Sequence, residues 1–191
     1  MDIVLASGSP RRHEILELGG FGHEIIVSNV EEVMDETDPA RLVMSLSRQK
    51  CEAVAREIRE TKDAVVVGAD TVVACDGKIL GKPHSHEEAR EMIKLLSGRT
   101  HEVFTGITLI QTKSEKMVCF SERSIVSVIA MSEEEINDYI SLKEPYDKAG
   151  GYAIQGAFAK YISKIDGDYY NIMGFPLCRF SVELKKFLNE K

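Results

Sequence analysis

The chain has 191 residues, 43% of them hydrophobic and 29% charged, a composition that excludes a disordered chain and allows a substantial core. With 24 Lys and Arg against 31 Asp and Glu, the formal charge is −7. That balance speaks against wrapping nucleic acid, which needs a basic face, while a small anionic ligand needs only a local group of cations.

Asp2–Ala6 reads as a short apolar strand running into Ser7-Gly8-Ser9-Pro10. A helix is expected over Pro10–Leu18, with Ser9 as N-cap and Pro10 at its first position. His23–Ser28 looks like a second strand, followed by an acidic loop from Glu31 to Asp38. Asp38-Pro39 opens a long helix to about Glu60. Leu42, Val43, Leu46, Ala53 and Val54 share a stripe about 120° wide on it, and Lys50 and Glu57 fall inside that stripe. Lys50 there either snorkels from the core edge or points its ammonium into a cleft.

Ala64–Gly68 is a strand covered on both faces that continues through Asp70 and Thr71 into Val72-Val73-Ala74. Asp76-Gly77 is a hairpin turn returning through Lys78–Leu80 to Gly81-Lys82-Pro83. Ser85 with Glu88 predicts a capping box for a helix to about Ser97, and Ser132 with Glu135 another for a helix to about Ile140. Residues 101–112 and 118–130 read as long antiparallel strands. Lys143–Gly151 is loop, Tyr152–Ile154 short and extended, and Pro176 begins an amphipathic helix bearing Leu177, Phe180, Leu184 and Phe187. The expectation is a mixed α/β fold, with two lobes around a cleft as the preferred arrangement.

No apolar run approaches the ~20 residues of a membrane span. The first residues lack the basic start and long apolar stretch of a secretion signal. Cys51, Cys75, Cys119 and Cys178 lie far apart in no zinc-binding spacing. The expectation is a cytoplasmic protein with reduced cysteines and no membrane partner. A homodimer is compatible with the sequence, although no stretch announces an interface.

Five groups of residues could carry chemistry. Ser7-Gly8-Ser9-Pro10-Arg11-Arg12 places hydroxyls and guanidiniums at a helix start, where backbone N–H groups attract anions; it is neither a P-loop nor a dinucleotide motif. Alternatively it is a capped helix with two solvated arginines. Asp70 ends a buried run, where a carboxylate is costly unless paired or metal-bound; it is a candidate metal ligand or general base, or a turn aspartate bonded to a lysine. Lys82, between Gly81 and Pro83, suits a phosphate or is a surface-loop lysine. Glu31-Glu32 could hold a cation that bridges to phosphates, or form a solvated acidic loop, and Glu57 reads as a partner for a nearby Lys or Arg. Asp147–Gly156 is a glycine-rich loop whose Gln155 can both donate to and accept from a base edge, or that merely turns the chain. His84 and His86 lack a third zinc ligand, His13 and His101 are not required by any spacing, and no serine or cysteine nucleophile is indicated.

Taken in order, these segments resemble the Maf family of nucleotide pyrophosphatases across nearly the whole chain. The resemblance rests on Ser7–Arg12, Lys50, Gly68-Ala69-Asp70-Thr71-Val72-Val73, Gly81-Lys82-Pro83, Leu96–Val103, the Gln155 loop and Asn171–Pro176. It implies a single domain over 1–191, with an α/β fold like that of the inosine triphosphate pyrophosphatases: an elongated mixed sheet, flanking helices and two lobes around a central cleft. It implies hydrolysis of a nucleoside triphosphate to monophosphate and pyrophosphate with Mg²⁺ or Mn²⁺. Asp70 would be the active-site acid, activating water or holding the metal with Glu32. Ser7, Arg11, Arg12, Lys50 and Lys82 would bind phosphates, and Arg12, Thr71 and Gln155 would set base preference. The wording Gly150–Gly156 resembles the branch that cleaves dTTP and UTP. Two departures stand out: Glu31-Glu32 replaces the usual Asp-Glu pair, and Gly174-Phe175-Pro176 the usual Gly-Leu-Pro. A rival reading is a nucleotide-binding regulator of septum formation or cell division with little catalysis; a weaker one is a phosphohydrolase releasing orthophosphate.

Overall fold

A computed structural model describes residues 2–189. The strands are β1 (Asp2–Leu5), β2 (Glu24–Ile25), β3 (Ala64–Cys75), β4 (Lys78–Leu80), β5 (Thr100–Gln111), β6 (Met117–Val128) and β7 (Ile162–Asp166). Among the described residues they form a mixed seven-stranded sheet in the order β2-β1-β3-β5-β6-β7, with β4 on β3. β1 runs parallel to both neighbours, Val4 lying opposite Glu24 on one side and Val66 on the other. Gln111 N–H donates to Lys116 C=O, and Val128 N–H to Arg99 C=O, so β5 and β6 are antiparallel in one constant register. The helices are α1 (Pro10–Leu18), α2 (Pro39–Ile58), α3 (His86–Leu96), α4 (Glu133–Ile140), α5 (Tyr169–Met173) and α6 (Leu177–Asn189). No helix is long and apolar enough to cross a membrane among the described residues.

The chain divides into two compact units, with dividing points inside β3, β5 and β6 and a fourth at the end of α5. The first comprises residues 1–70, 105–122 and 174–191. Its α2 packs Cys51, Val54, Ala55 and Ile58 against Val4, Ala6, Ala64, Val66 and Ile110. Phe180 of α6 meets Phe21 and Phe175 edge-on, at ring separations of 5.2 and 4.8 Å. The second comprises residues 71–104 and 123–173. There Ala89, Ile93 and Leu96 of α3 join Ile136 and Tyr139 of α4 in a core with Val103 and Val126. Phe158 stacks obliquely among Tyr139, Tyr152 and Tyr161.

Several local expectations need correction. The second strand shrinks from His23–Ser28 to two residues: beyond Ile26, whose N–H reaches Leu5 C=O, Val27 is half exposed and the loop leaves the sheet. The buried face of α2 is turned toward Val43, Ser47, Cys51 and Ile58, leaving Ala53 only partly covered and Glu57 exposed without an ion partner among the described residues. Ser9 stands at the N-cap of α1 but its hydroxyl caps nothing. Ser85 accepts the Glu88 N–H, yet the Glu88 carboxylate returns to the His84 N–H rather than to Ser85. The box at Ser132 and Glu135 is complete. Lys143–Gly151 contains two short 3-10 turns, and Tyr152 is extended but Ile154 already lies in a turn in which the Gly156 N–H donates to Ala153 C=O. The four cysteines are all free thiols.

Candidate active site

The first unit gathers most of the candidate side chains. β1 delivers Ser7 to the start of α1, where its buried hydroxyl accepts the Ser9 N–H at 3.3 Å and Arg12 Nη1 at 2.9 Å. Arg12 Nε donates to the Gly174 carbonyl at 3.0 Å, so the guanidinium fork spans two backbone turns far apart in sequence. Burial holds the Arg12 pKa below its ordinary value. The negative charges of Asp70 and Glu32 work against that shift, and the neighbouring Arg11 adds to it. Arg11 Nε is buried with no hydrogen-bond partner among the described residues. The Ser9 side chain does not cap α1, and a helix start of this kind suits an anion.

Asp70 lies at the last position of the first unit's part of β3, and Lys50 on α2 donates to its Oδ1. The same ammonium reaches Glu32 Oε1 at 3.1 Å. Lys50 is therefore neither a snorkelling edge residue nor unpaired: it joins the acidic loop to the strand. This contact depends on two glycines. A Cβ on Gly68 would lie 2.1 Å from Ser47 O and 2.7 Å from Cys51 Cβ; one on Gly106 would lie 2.2 Å from Val43 O. Both strands thus let the α2 backbone approach to a distance that no side chain permits. Asp70 loses water without losing its counter-charge, which is what allows a carboxylate at the end of an apolar strand.

No three His, Cys, Asp or Glu side chains form a ready metal cage among the described residues. Glu32 and Asp70 nevertheless converge on one ammonium, so two hard oxygen donors lie within reach of a common point. That set fits Mg²⁺ or Mn²⁺, which take one or two carboxylates and complete their shells with water and substrate phosphates. Glu31 is exposed and makes no bond among the described residues. Burial pushes the Cys51 thiol pKa well above its ordinary value, and Cys51 lies in the core as a spacer rather than a ligand.

Thr71, Lys82 and Gln155 belong to the second unit. Thr71 follows Asp70 in β3 and is half buried. Lys82 is exposed, without an ion pair among the described residues, and its loop is fixed by the Gly150 N–H donating to Gly81 C=O at 2.9 Å. That bond ties the Lys82 loop to the glycine-rich segment carrying Gln155. Gly150 has φ of 71° and a Cβ there would strike Val73, so the tie requires glycine. Gln155 is exposed between two anchors. Tyr152 OH lies 2.6 Å from His101 Nε2, and Glu144 accepts N–H bonds from Ala157 and Phe158 at 2.8 and 3.3 Å.

Sequence reasoning did not single out Gly68, Gly106, Gly174 or Glu144 as supports of the site. A lone glycine inside a strand pattern signals close backbone approach, which could have pointed to the first two; the Gly174 carbonyl and the Glu144 carboxylate gave no local signal. A cavity of about 300 Å³ lies elsewhere in the first unit, lined by Arg48, Arg56, Arg59, Ile110, Glu115 and Met117. Its arginines are occupied by Glu52 and Glu115, and it contains none of the candidate residues.

The family model described as "Maf-like protein" matches residues 2–187. A protein of Bacillus cereus (strain ATCC 14579) named "dTTP/UTP pyrophosphatase" is 50% identical over 186 residues, covering 97% of this chain and 95% of its own length. One of the same name from Lachnoclostridium phytofermentans is 50% identical over 188 residues, covering 97% and 94%. A fainter backbone likeness, with a TM-score of 0.42 and 14% identity over 97% of this chain and 94% of the other, is to a crystal structure titled "Nucleoside-triphosphatase / dITP/XTP pyrophosphatase" from Mycobacterium abscessus.

Proposed function

The chain belongs to the Maf family, and from that premise we propose that it hydrolyses dTTP and UTP to the monophosphate and pyrophosphate. The observation that carries the reading is the contact set of Asp70, Lys50 and Glu32 in the same unit as Ser7 and the Arg12 fork. Relatives half identical over nearly the full length carry the same activity in their names.

A bound triphosphate brings about four negative charges. Ser7, Arg11, Arg12 and the start of α1 bind phosphate oxygens, Lys50 adds its ammonium, and Lys82 is a further phosphate-binding candidate. Asp70, in contact with Lys50, accepts the proton of the attacking water. The water oxygen bonds to the α-phosphorus, the bond from that phosphorus to the bridging oxygen breaks, and pyrophosphate leaves. Arg12 already has its orientation fixed by Ser7 and Gly174, so little rearrangement is needed as charge develops. Glu32 and Asp70 are the donors for Mg²⁺ or Mn²⁺, which when bound offsets phosphate charge. Arg12, Thr71 and Gln155 select the base. The four free thiols are in keeping with work in the reducing cytoplasm.

The test is a product assay with Mg²⁺ on dTTP, UTP, CTP, GTP and 7-methyl-GTP, run beside Asp70→Asn. Pyrophosphate from dTTP and UTP alone, abolished in the folded variant, is the expected result. Full activity in Asp70→Asn would remove Asp70 from the mechanism. Orthophosphate as product would replace the reaction by a different phosphohydrolysis. Nucleotide bound without turnover would replace the enzyme by a binding regulator.

A further inference from the structure

The acidic loop that presents Glu32 has no helix or strand of its own between residues 26 and 38. Nothing in its composition explains why one of its exposed carboxylates should stand at a fixed place. The explanation lies in α2, one residue before Lys50. The side-chain carboxamide of Gln49 accepts the Val33 N–H at 2.9 Å and donates to the Val33 C=O at 2.9 Å. Both polar groups of one loop residue are thus met by one side chain, as a neighbouring strand would meet them. The second amide hydrogen of Gln49 faces Ser45 Oγ at 3.1 Å, one helical turn back. With an N–H to receive on one side and a carbonyl to supply on the other, the amide can point only one way.

We infer that Gln49 is a positioning residue for the metal-binding carboxylate of Glu32. Two consecutive residues of α2 hold two consecutive residues of the loop: Gln49 grips the Val33 backbone while Lys50 meets the Glu32 side chain. The Lys50 contact alone cannot serve, because an ammonium that must also attend Asp70 and substrate phosphates is not a fixed anchor. The amide pair is uncharged, so it keeps its grip when a cation or a triphosphate changes the charge around Lys50. Its function is to pre-order the loop so that binding a cation does not also have to order the backbone. This inference rests on the assignment of Glu32 as a metal donor.

The test uses the full chain without nucleotide and Mn²⁺ as the probe. Gln49→Leu leaves a side chain of comparable bulk and removes both bonds. Amide hydrogen exchange at Val33 in the metal-free protein should accelerate about tenfold, while exchange along α2 stays as in the parent. The Mn²⁺ dissociation constant, read from the electron paramagnetic resonance of the free ion, should rise about tenfold, as loss of two modest hydrogen bonds implies. Glu32→Gln should weaken Mn²⁺ binding at least as much, and the double variant little further. Arg56→Leu, on the exposed side of α2, should change neither readout. Unchanged Val33 exchange, or unchanged Mn²⁺ affinity in Gln49→Leu when Glu32→Gln is weakened, would overturn the role of Gln49 alone. Unchanged Mn²⁺ affinity in Glu32→Gln would overturn both that role and the metal assignment beneath it.

Discussion

Replacing Gly68 with alanine tests whether the close seating of α2 on β3 makes the site. The added Cβ would lie 2.1 Å from the Ser47 carbonyl oxygen, 2.7 Å from Cys51 Cβ and 3.0 Å from Cys51 N. Two of these three atoms are backbone of a buried helix, so no rotamer change relieves them. The helix has to retreat by roughly 1 Å at Ser47, an overpacking cost of about 3 kcal/mol. For a chain of this size that lowers Tm by about 6–12 °C. Lys50 is one turn beyond Ser47, and Asp70 is two residues beyond Gly68 on the same strand face, so the retreat opens the Lys50–Asp70 contact directly. A displacement of this size at a positioning group costs about 100-fold in turnover. The assay is calorimetric Tm together with kcat for dTTP, measured well below the variant's own Tm. Gly77→Ala is the control: its φ of 74° makes alanine cost about 1 kcal/mol, but nothing lies within 4 Å of the added Cβ, so no helix has to retreat. Parent-like Tm in Gly68→Ala would refute the packing argument, and lowered Tm with parent-like kcat would refute the link from helix seating to the site.

Burial holds His101 at a pKa of about 4 against an ordinary 6.5. Above pH 6.5 it is neutral whether the chain is folded or not. Between 6.5 and 4 the unfolded chain takes up a proton that the folded one refuses, so stability falls by about 1.4 kcal/mol per pH unit, about 3 kcal/mol in all. His101→Gln should flatten that part of the profile in denaturant titrations from pH 7.5 to 4.5, and parallel profiles would show that His101 is not responsible. Ser132→Ala should cost about 1 kcal/mol by opening the complete capping box of α4, whereas Ser9→Ala should leave Tm almost unchanged because the Ser9 hydroxyl caps nothing. Equal Tm losses in the two variants would contradict the difference in hydrogen bonding.

What the sequence determined by itself is what depends on neighbours along the chain. Pro10 and Pro39 open helices, Asp76-Gly77 turns a hairpin, Ser132 with Glu135 closes a cap, and Ala64–Cys75 forms a long buried strand, because caps, turns and apolar runs act within a few residues. The residue types of the site were legible for the same reason: a hydroxyl and guanidinium cluster at a helix start, and a carboxylate at the end of an apolar run, each carry a local cost that function or pairing must offset. Tertiary structure decided which of them meet. Lys50 and Glu32 could each be read as edge or solvated residues until Gly68 and Gly106 brought α2 against the strands. Gln49, an unremarked polar residue on a helix, acquires its role only from a backbone 16 residues away. The second strand stopped after two residues, the chain past Ile26 leaving Val27 half exposed, and the buried face of α2 turned because sheet contacts outweigh the stripe drawn from the helix alone. Local conformation is set by energies summed over adjacent residues, whereas a site is set by which distant backbones can approach, and that approach is settled only when the whole core packs.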